Sequence, residues 1–330
     1  MNSNVRKKTR QSRIEKRNDM YKIFVKSVAK FVVLAGFAAF VTTVSVTNGF
    51  VHAAQPTVGL GTSSPFAILS GTVNISDAGN ASVITGNVGL SPASGAFIGL
   101  NCSQVSGTIY SVDGAGPLPC RITDGPLMVL AKNDLTAAYL DAAGRTPLTT
   151  VPTELGGTTL VAGVYDSTST TFGISAGAGA LVLDGQNDSS SVFIFQAPFS
   201  GTGLVVNSAS TITLVNGAQA CNVFWRVDTA SIDTTANFVG TIFALNSISV
   251  ANGATIQGRL LARNGSVTLI NDTITVPSCI ATTANGTGSG TPGFPNTGNP
   301  TENNNLWIVA PAAIIIGLAT AWIVRKKRLI

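Results

Sequence analysis

The chain has 330 residues, a formal charge of +5 and a mean hydropathy of +0.35. Ten of its Lys and Arg fall within residues 1–30 and four within 325–328, so the stretch from Ala54 to Thr297 holds six basic and twelve acidic residues. That stretch has no basic face for nucleic acid, and the lone histidine, His52, lies ahead of it, which excludes histidine triads, histidine general bases and histidine metal sites.

Residues 1–53 read as a targeting segment rather than part of a fold. A basic region carries only Glu15 and Asp19 as acids, an uncharged apolar run follows from Phe31 to about Val51, and VHAAQ offers small residues to a peptidase. This order marks a secretory signal cleaved between Ala53 and Ala54; an uncleaved signal anchor is the alternative.

From Pro56 to Cys279 there are about 220 residues, enough for one sizeable domain. Short strands broken by Gly, Asn and Asp dominate it. One helix interrupts them. Asp124 caps DGPLMVLAKNDLTAAYLDAAG, Pro126 is tolerated in its first turn, and Gly144 ends it, giving a helix over about 126–143. Leu127, Leu130, Ala131, Asp134, Leu135, Ala138, Tyr139 and Ala142 recur at helical spacing and predict the face that packs.

The last part of the domain repeats. STITLVNGAQA (210–220), ASIDTTANFVG (230–240), SISVANGATIQG (247–258) and SVTLINDTIT (266–275) each combine a strand, a small polar corner and further strand residues. A unit of this size cannot bury its apolar side alone, so neighbouring copies must stack. Periodicity therefore predicts stacked β coils with one helix. Four cysteines in an exported chain predict disulfides. Of three pairings, Cys102–Cys120 would close a short Gly/Pro-rich excursion and Cys221–Cys279 would tie the start of the last coils to their end; these two are favoured.

Residues 280–293, IATTANGTGSGTPG, form a flexible small-residue linker. FPNTG follows at 294–298, then a polar spacer, an apolar run over 306–324 and the basic tail 325–330, RKKRLI. Nineteen apolar residues span about 28 Å as a helix, close to a bilayer core, with the tail on the cytoplasmic side. This order resembles the wall-sorting signal of Gram-positive surface proteins, with Phe in place of the usual first Leu. The resemblance implies that a sortase cuts between Thr297 and Gly298 and joins the chain to the cell wall; a plain C-terminal membrane anchor is the alternative. Either leaves the domain at the cell surface.

Several segments resemble the ice-binding-like family: FAILSGTVNIS (66–76), LTAAYLDAAGRTP (135–147), GVYDSTSTTFGISAGAGALVLDGQNDSSSVFIFQ (163–196), ACNVFWRV (220–227) and NGATIQGRLLARNGSVTL (252–269). The resemblance implies an all-β dominated fold, a discontinuous right-handed three-sided β-solenoid spanning 54–279, with one long helix packed alongside and a capping excursion near 92–123. It also implies ice as the partner, met through a loose pattern Thr/Asn–Gly/Ala–any–Thr/Asn on one flat face. The candidates are Asn216 with Gln219, Thr234 with Asn237, Asn252 with Thr255, and Asn271 with Thr273. Three Thr in eight imply weak or moderate activity.

Ice offers a lattice of oxygens and no charge, so a matching surface is flat, rigid and charge-poor; Thr suits it because its β-branched side chain is stiff. Two other classes of function stay open. A tethered, charge-poor solenoid fits an adhesin for a non-ice surface, a glycan or a partner cell. Catalysis by paired carboxylates has only Asp228 and Asp233 to draw on, and Asp184 with Asp188 is the one candidate calcium pair, more simply read as a tight turn. No enzyme activity and no cofactor are expected.

Overall fold

In the computed structural model, residues 55–197 and 203–279 are described. All belong to one unit of the chain. Their strands are short because Gly, Asn and Asp recur every few residues and turn the chain. Every paired strand runs parallel to its neighbour, in sheets of thirteen, seven and three strands. Among the described residues the fold is thus mostly β, with stacked parallel ladders and one α-helix.

The ladders align like residues. Phe172, Leu204, Ala230, Ile248, Val267 and Ile75 stand in register along the seven-stranded sheet, and all are buried. Two eight-residue strands, Asn237–Ala244 and Thr255–Ala262, pass from one side of the core to the next without a break. They bend at Gly240, whose φ is +114, and at Gly258 beside it. A Cβ on Gly258 would lie 1.8 Å from the Gly240 carbonyl oxygen, so only glycine fits this corner.

The order of stacking differs from the order of the chain. The first coil pairs with the last: Ile68 opposes Leu260, Ile75 opposes Val267, and Val83 opposes Thr273. From that joint the chain builds outward through Asn87–Leu90 and Ile109–Ser111 to Arg121–Thr123. Within 92–123 only short pieces keep ladder register, with Ile98 opposite Ile75 and Val105 opposite Ile84. The helix Gly125–Gly144 then leads to Leu148–Val151 on the edge of the large sheet, and the later strands stack back to the joint.

Asp124 caps the helix by accepting from the Leu127 N–H at 2.9 Å. Its buried face is Met128, Ala131, Leu135, Ala138, Tyr139 and Ala142, set against Phe66, Leu69, Ile194, Phe224, Phe243 and Leu261. The face expected from spacing needs correction at three points, Leu127, Leu130 and Asp134. Met128 replaces Leu127, and Leu130 is exposed. The helix is apolar nearly all round, so spacing alone does not fix its rotation. Asp134 is held at the surface, accepting from both the N–H and the hydroxyl of Thr62 at 2.7 Å. Lys132 donates to the carbonyls of Ala262 and Arg263 at 2.9 and 2.6 Å, fixing the helix to the end of a core strand. Burial, and then the Arg263 charge, push that amine down to about 7.

The disulfides pair as Cys102–Cys120 and Cys221–Cys279. Among the described residues no helix is long and apolar enough to cross a membrane. The signal segment 1–53, the linker 280–293, the FPNTG motif, the apolar run 306–324 and the basic tail lie outside the described residues, as do Ala53, Ala54, Thr297 and Gly298.

Candidate functional site

The strands that carry the repeated corners share one surface. Their register sets out two outward rows. The first runs Thr211, Asn237, Thr255, Thr273, Val83. The second, two residues on, runs Gln257, Thr275, Thr85, Ser106, and Val239, next in register before Gln257, is buried. Between them the buried residues Phe238, Ile256, Ile274 and Ile84 point into the core. Alternation along each strand therefore presents short polar side chains outside and anchors them through a packed ladder inside. Neighbours within a row are about 4.8 Å apart, and the rows lie about 6.7 Å apart. Neither row contains a charged residue.

The corner leading into these strands is equally regular. Ala209, Thr235, Gly253 and Asn271 each adopt a left-handed conformation, with φ of +58, +56, +78 and +54. Ala209 N–H donates to the Thr234 carbonyl at 3.0 Å, Thr235 N–H to Asn252 at 3.1 Å, and Gly253 N–H to Ile270 at 3.1 Å. The Asn271 side-chain amide donates to the Asn252 side-chain oxygen at 2.9 Å. Asp233 accepts from the Thr234 N–H at 2.7 Å, and that bond, followed by one from Ser208, holds its carboxyl below the usual range.

Six of the eight residues expected from sequence meet here. Asn237, Thr255 and Thr273 stand adjacent in the first row, with Thr234, Asn252 and Asn271 at the corner before it. Asn271 sits one place late: it shares the left-handed position of Gly253 and Thr235, and Ile270 takes the place of Asn252 and Thr234. Asn216 and Gln219 do not join the group. Their strand, Ile212–Val215, lies on this same side, so the Asn216-Gly217 turn belongs to the following corner. There Asn216 donates to Asp184 at 2.9 Å and Gln219 to the Ser189 carbonyl at 2.7 Å. The segment that stacks beside Thr234–Asn237 is Ser208–Thr211. Both corners carry small turn-forming residues, which is why the repeat can be aligned one corner too far.

Sequence reasoning missed Thr211, Thr275, Thr85 and Ser106. The signal was present as a tripeptide: Thr-Ile-Thr at 211–213 and 273–275, Thr-Ile-Gln at 255–257, and Val-Ile-Thr at 83–85. The carboxylates weighed for other chemistry serve the corners. Asp228 accepts from Asn246 at 2.6 Å, Asp184 from the Gln186 N–H at 2.8 Å, and Asp188 from the Ser190 N–H at 2.8 Å. Among the described residues no group of three or more His, Cys, Asp or Glu gathers as a metal set would.

The ice-binding-like family model matches residues 68–275. An ice-binding protein of Colwellia sp. is 43% identical over 239 residues, covering 71% of this chain and 90% of the relative. One from Flavobacterium frigoris is 42% identical over 224 residues, covering 67% and 76%. Among solved structures, an ice-binding protein from an Antarctic biological consortium aligns with a TM-score of 0.58 at 34% identity, over 68% of this chain and 93% of that one. A domain of ice-binding protein 1 from Shewanella frigidimarina aligns at 0.59 and 29% identity, over 68% and 99%.

Proposed function

The chain belongs to the ice-binding-like family, and from that premise we propose that it is a cell-surface ice-binding protein whose contact surface is the pair of rows through Thr255 and Thr275. The observation that carries the assignment is the uncharged double row, held at ladder spacing by buried Ile256, Ile274 and Ile84. A rigid β-branched side chain presents a methyl and a hydroxyl at a fixed height. Repetition at about 4.8 and 6.7 Å gives a flat grid on which ordered water can match an ice front. Asn237 and Thr273 stand in that grid beside Thr255, and Thr234, Asn252 and Asn271 extend it at its corner side. Val83 and Gln257 interrupt it and buried Val239 ends the second row, which fits moderate rather than strong activity. The right-handed, three-sided winding of the coils belongs to the same reading, as does a binding role without catalysis.

The ends give the surface its setting. The basic and apolar segment 1–53 exports the chain, and FPNTG with the apolar run and basic tail fixes it, by sortase to the wall at Thr297 or by the membrane itself. A fixed ice binder attaches a cell to ice, whereas a free one limits recrystallisation in the surrounding liquid. The same anchor supports a second reading, an adhesin for a non-ice surface, glycan or partner cell.

The two readings separate in one experiment. Residues 54–279 should shape growing ice crystals and give measurable thermal hysteresis, and Thr255→Tyr should remove both. Unmodified discs at high concentration of the wild-type domain would leave the adhesin reading standing alone. Shaping retained by both Thr255→Tyr and Thr234→Tyr would move the contact to another face.

A further inference from the structure

One position behind the rows breaks the pattern. The inward residue just before each outward Thr or Asn is Ser210, Ala236 and Ala254 in successive coils, all buried. In the last coil the same place is Asp272, a carboxylate only 1% exposed. It occurs where the last coil meets the first, the joint that no local chain connection enforces.

The surroundings of Asp272 are built for it. One oxygen accepts from the Ala254 N–H at 2.9 Å and the other from the Ile270 N–H at 2.8 Å. Its own N–H donates to the Ser82 hydroxyl at 2.9 Å, and its carbonyl accepts from the Val83 N–H at 2.8 Å. Asp77, on the first coil, completes the joint. It accepts from the Asn271 N–H at 3.1 Å, the Ser82 N–H at 2.9 Å and the Gln104 side-chain amide at 2.6 Å. Two buried acids thus gather donors from four successive stacked segments, around 254, 271, 82 and 104. A carboxylate accepts several bonds at once, and charge-assisted bonds are the stronger kind, so an acid can hold such a joint where Ala cannot.

We propose that Asp272, backed by Asp77, is a positioning residue for the ice-contacting rows, holding Thr273 and Val83 in line with Thr255 across the joint between the two ends of the domain. The proposal rests on the assignment of the ice-contacting face given above. Without the acid, the corner at 270–273 loses its tie to Ala254, and the grid loses its flatness at the centre while the ladders beneath it persist.

The electrostatics support this placement. Burial raises the Asp272 carboxyl, the Ile270 and Ala254 N–H groups pull it back, and the charge of Asp77 raises it again, leaving it at about 6. Burial alone would raise Asp77 too, but the Ser82 and Asn271 N–H groups hold it below the usual carboxylate value. Among the described residues, Asp77 is the one charged group set against Asp272; the coils at 252–255 and 80–83 face it with backbone and the Ser82 hydroxyl.

The test compares wild type, Asp272→Asn and Thr255→Tyr in the full-length protein, reading thermal hysteresis from pH 7 to pH 5 and amide hydrogen exchange at Ala254 and Ile270. Asp272→Asn should lose most of the hysteresis and speed exchange at one or both amides about tenfold or more, with distant ladder amides unchanged. Wild type should lose hysteresis between pH 7 and 5 as the acid protonates, without a fall in melting temperature, and Asp272→Asn should lack that pH step. This wild-type profile stands even if the variant folds poorly. Flat wild-type hysteresis over that range, or full hysteresis in Asp272→Asn beside its loss in Thr255→Tyr, overturns the positioning role alone. Hysteresis retained by Thr255→Tyr instead removes the face assignment, and this proposal with it.

Discussion

Thr255 and Ile256 are neighbours in the chain and opposite in expected effect. Ile256 is fully buried, in register between Phe238 and Ile274. Truncation to Ala deletes three carbons, a transfer loss of about 2.4 kcal/mol at about 0.8 kcal/mol each. The cavity term adds to that, because the strands on either side are held by ladder bonds and by the close Gly240–Gly258 contact and cannot collapse inward. The expected cost of Ile256→Ala is therefore about 3–5 kcal/mol. Thr255→Tyr points outward from an exposed strand position where Tyr is well tolerated, so its expected cost is within about 0.5 kcal/mol. Its ring stands above the shorter side chains of the row and holds an ice front off its neighbours. Urea unfolding with an unchanged slope measures the first quantity, and osmometry on the folded protein measures the second effect. Ile256→Ala should keep hysteresis per folded molecule, while Thr255→Tyr should lose it at wild-type stability. A cost below about 1 kcal/mol for Ile256→Ala would refute the packed ladder beneath the rows. A cost above about 2 kcal/mol for Thr255→Tyr would refute the outward placement of that residue.

Loss of the Cys221–Cys279 bridge, which spans 58 residues, should cost about 4 kcal/mol by chain entropy, against about 3 for Cys102–Cys120 over 18 residues. Paired Ser variants in chemical denaturation check the order, and a larger loss at Cys102–Cys120 would contradict it. Stability should also depend on pH in two separate windows. Asp272 has a folded value of about 6 against 3.8 unfolded, so its contribution is fully present below 3.8 and is lost as pH rises towards 6, by at most about 3 kcal/mol. Lys132 has a folded value of about 7 against 10.5 unfolded, so stability is gained as pH rises from 7 towards 10.5 and lost on the way down. Melting curves of Asp272→Asn and Lys132→Met should each lack one of these slopes; a variant that keeps its slope removes the assigned group.

Local signals were legible in the sequence, and signals set by stacking were not. The helix could be read from Asp124, Pro126 and Gly144, but its rotation could not, because Leu127, Met128 and Leu130 are equally apolar and only the sheet decides which is covered. The repeats could be read from their corners, yet Asn216-Gly217 resembles Asn252-Gly253 in sequence while turning a different corner. The Thr-Ile-Thr tripeptides carry the register more reliably, since the buried Ile must align with its neighbours. The joint of first and last coils leaves no local trace: Ile75 meets Val267 through parallel pairing across most of the domain. For the same reason the charge in Asn271-Asp272-Thr273 reads as a blemish in sequence, and only stacking against Ser82 and Ala254 gives it a partner set.

The face assignment meets its most direct test on ice itself. Residues 54–279, fluorescently labelled, can be offered to a growing single-crystal ice hemisphere beside Thr255→Tyr. The wild-type domain should be taken up on defined crystal planes, and Thr255→Tyr should be excluded into the liquid. Exclusion of both proteins would contradict ice binding by this domain, and equal uptake of both would contradict the rows through Thr255 as the surface that binds.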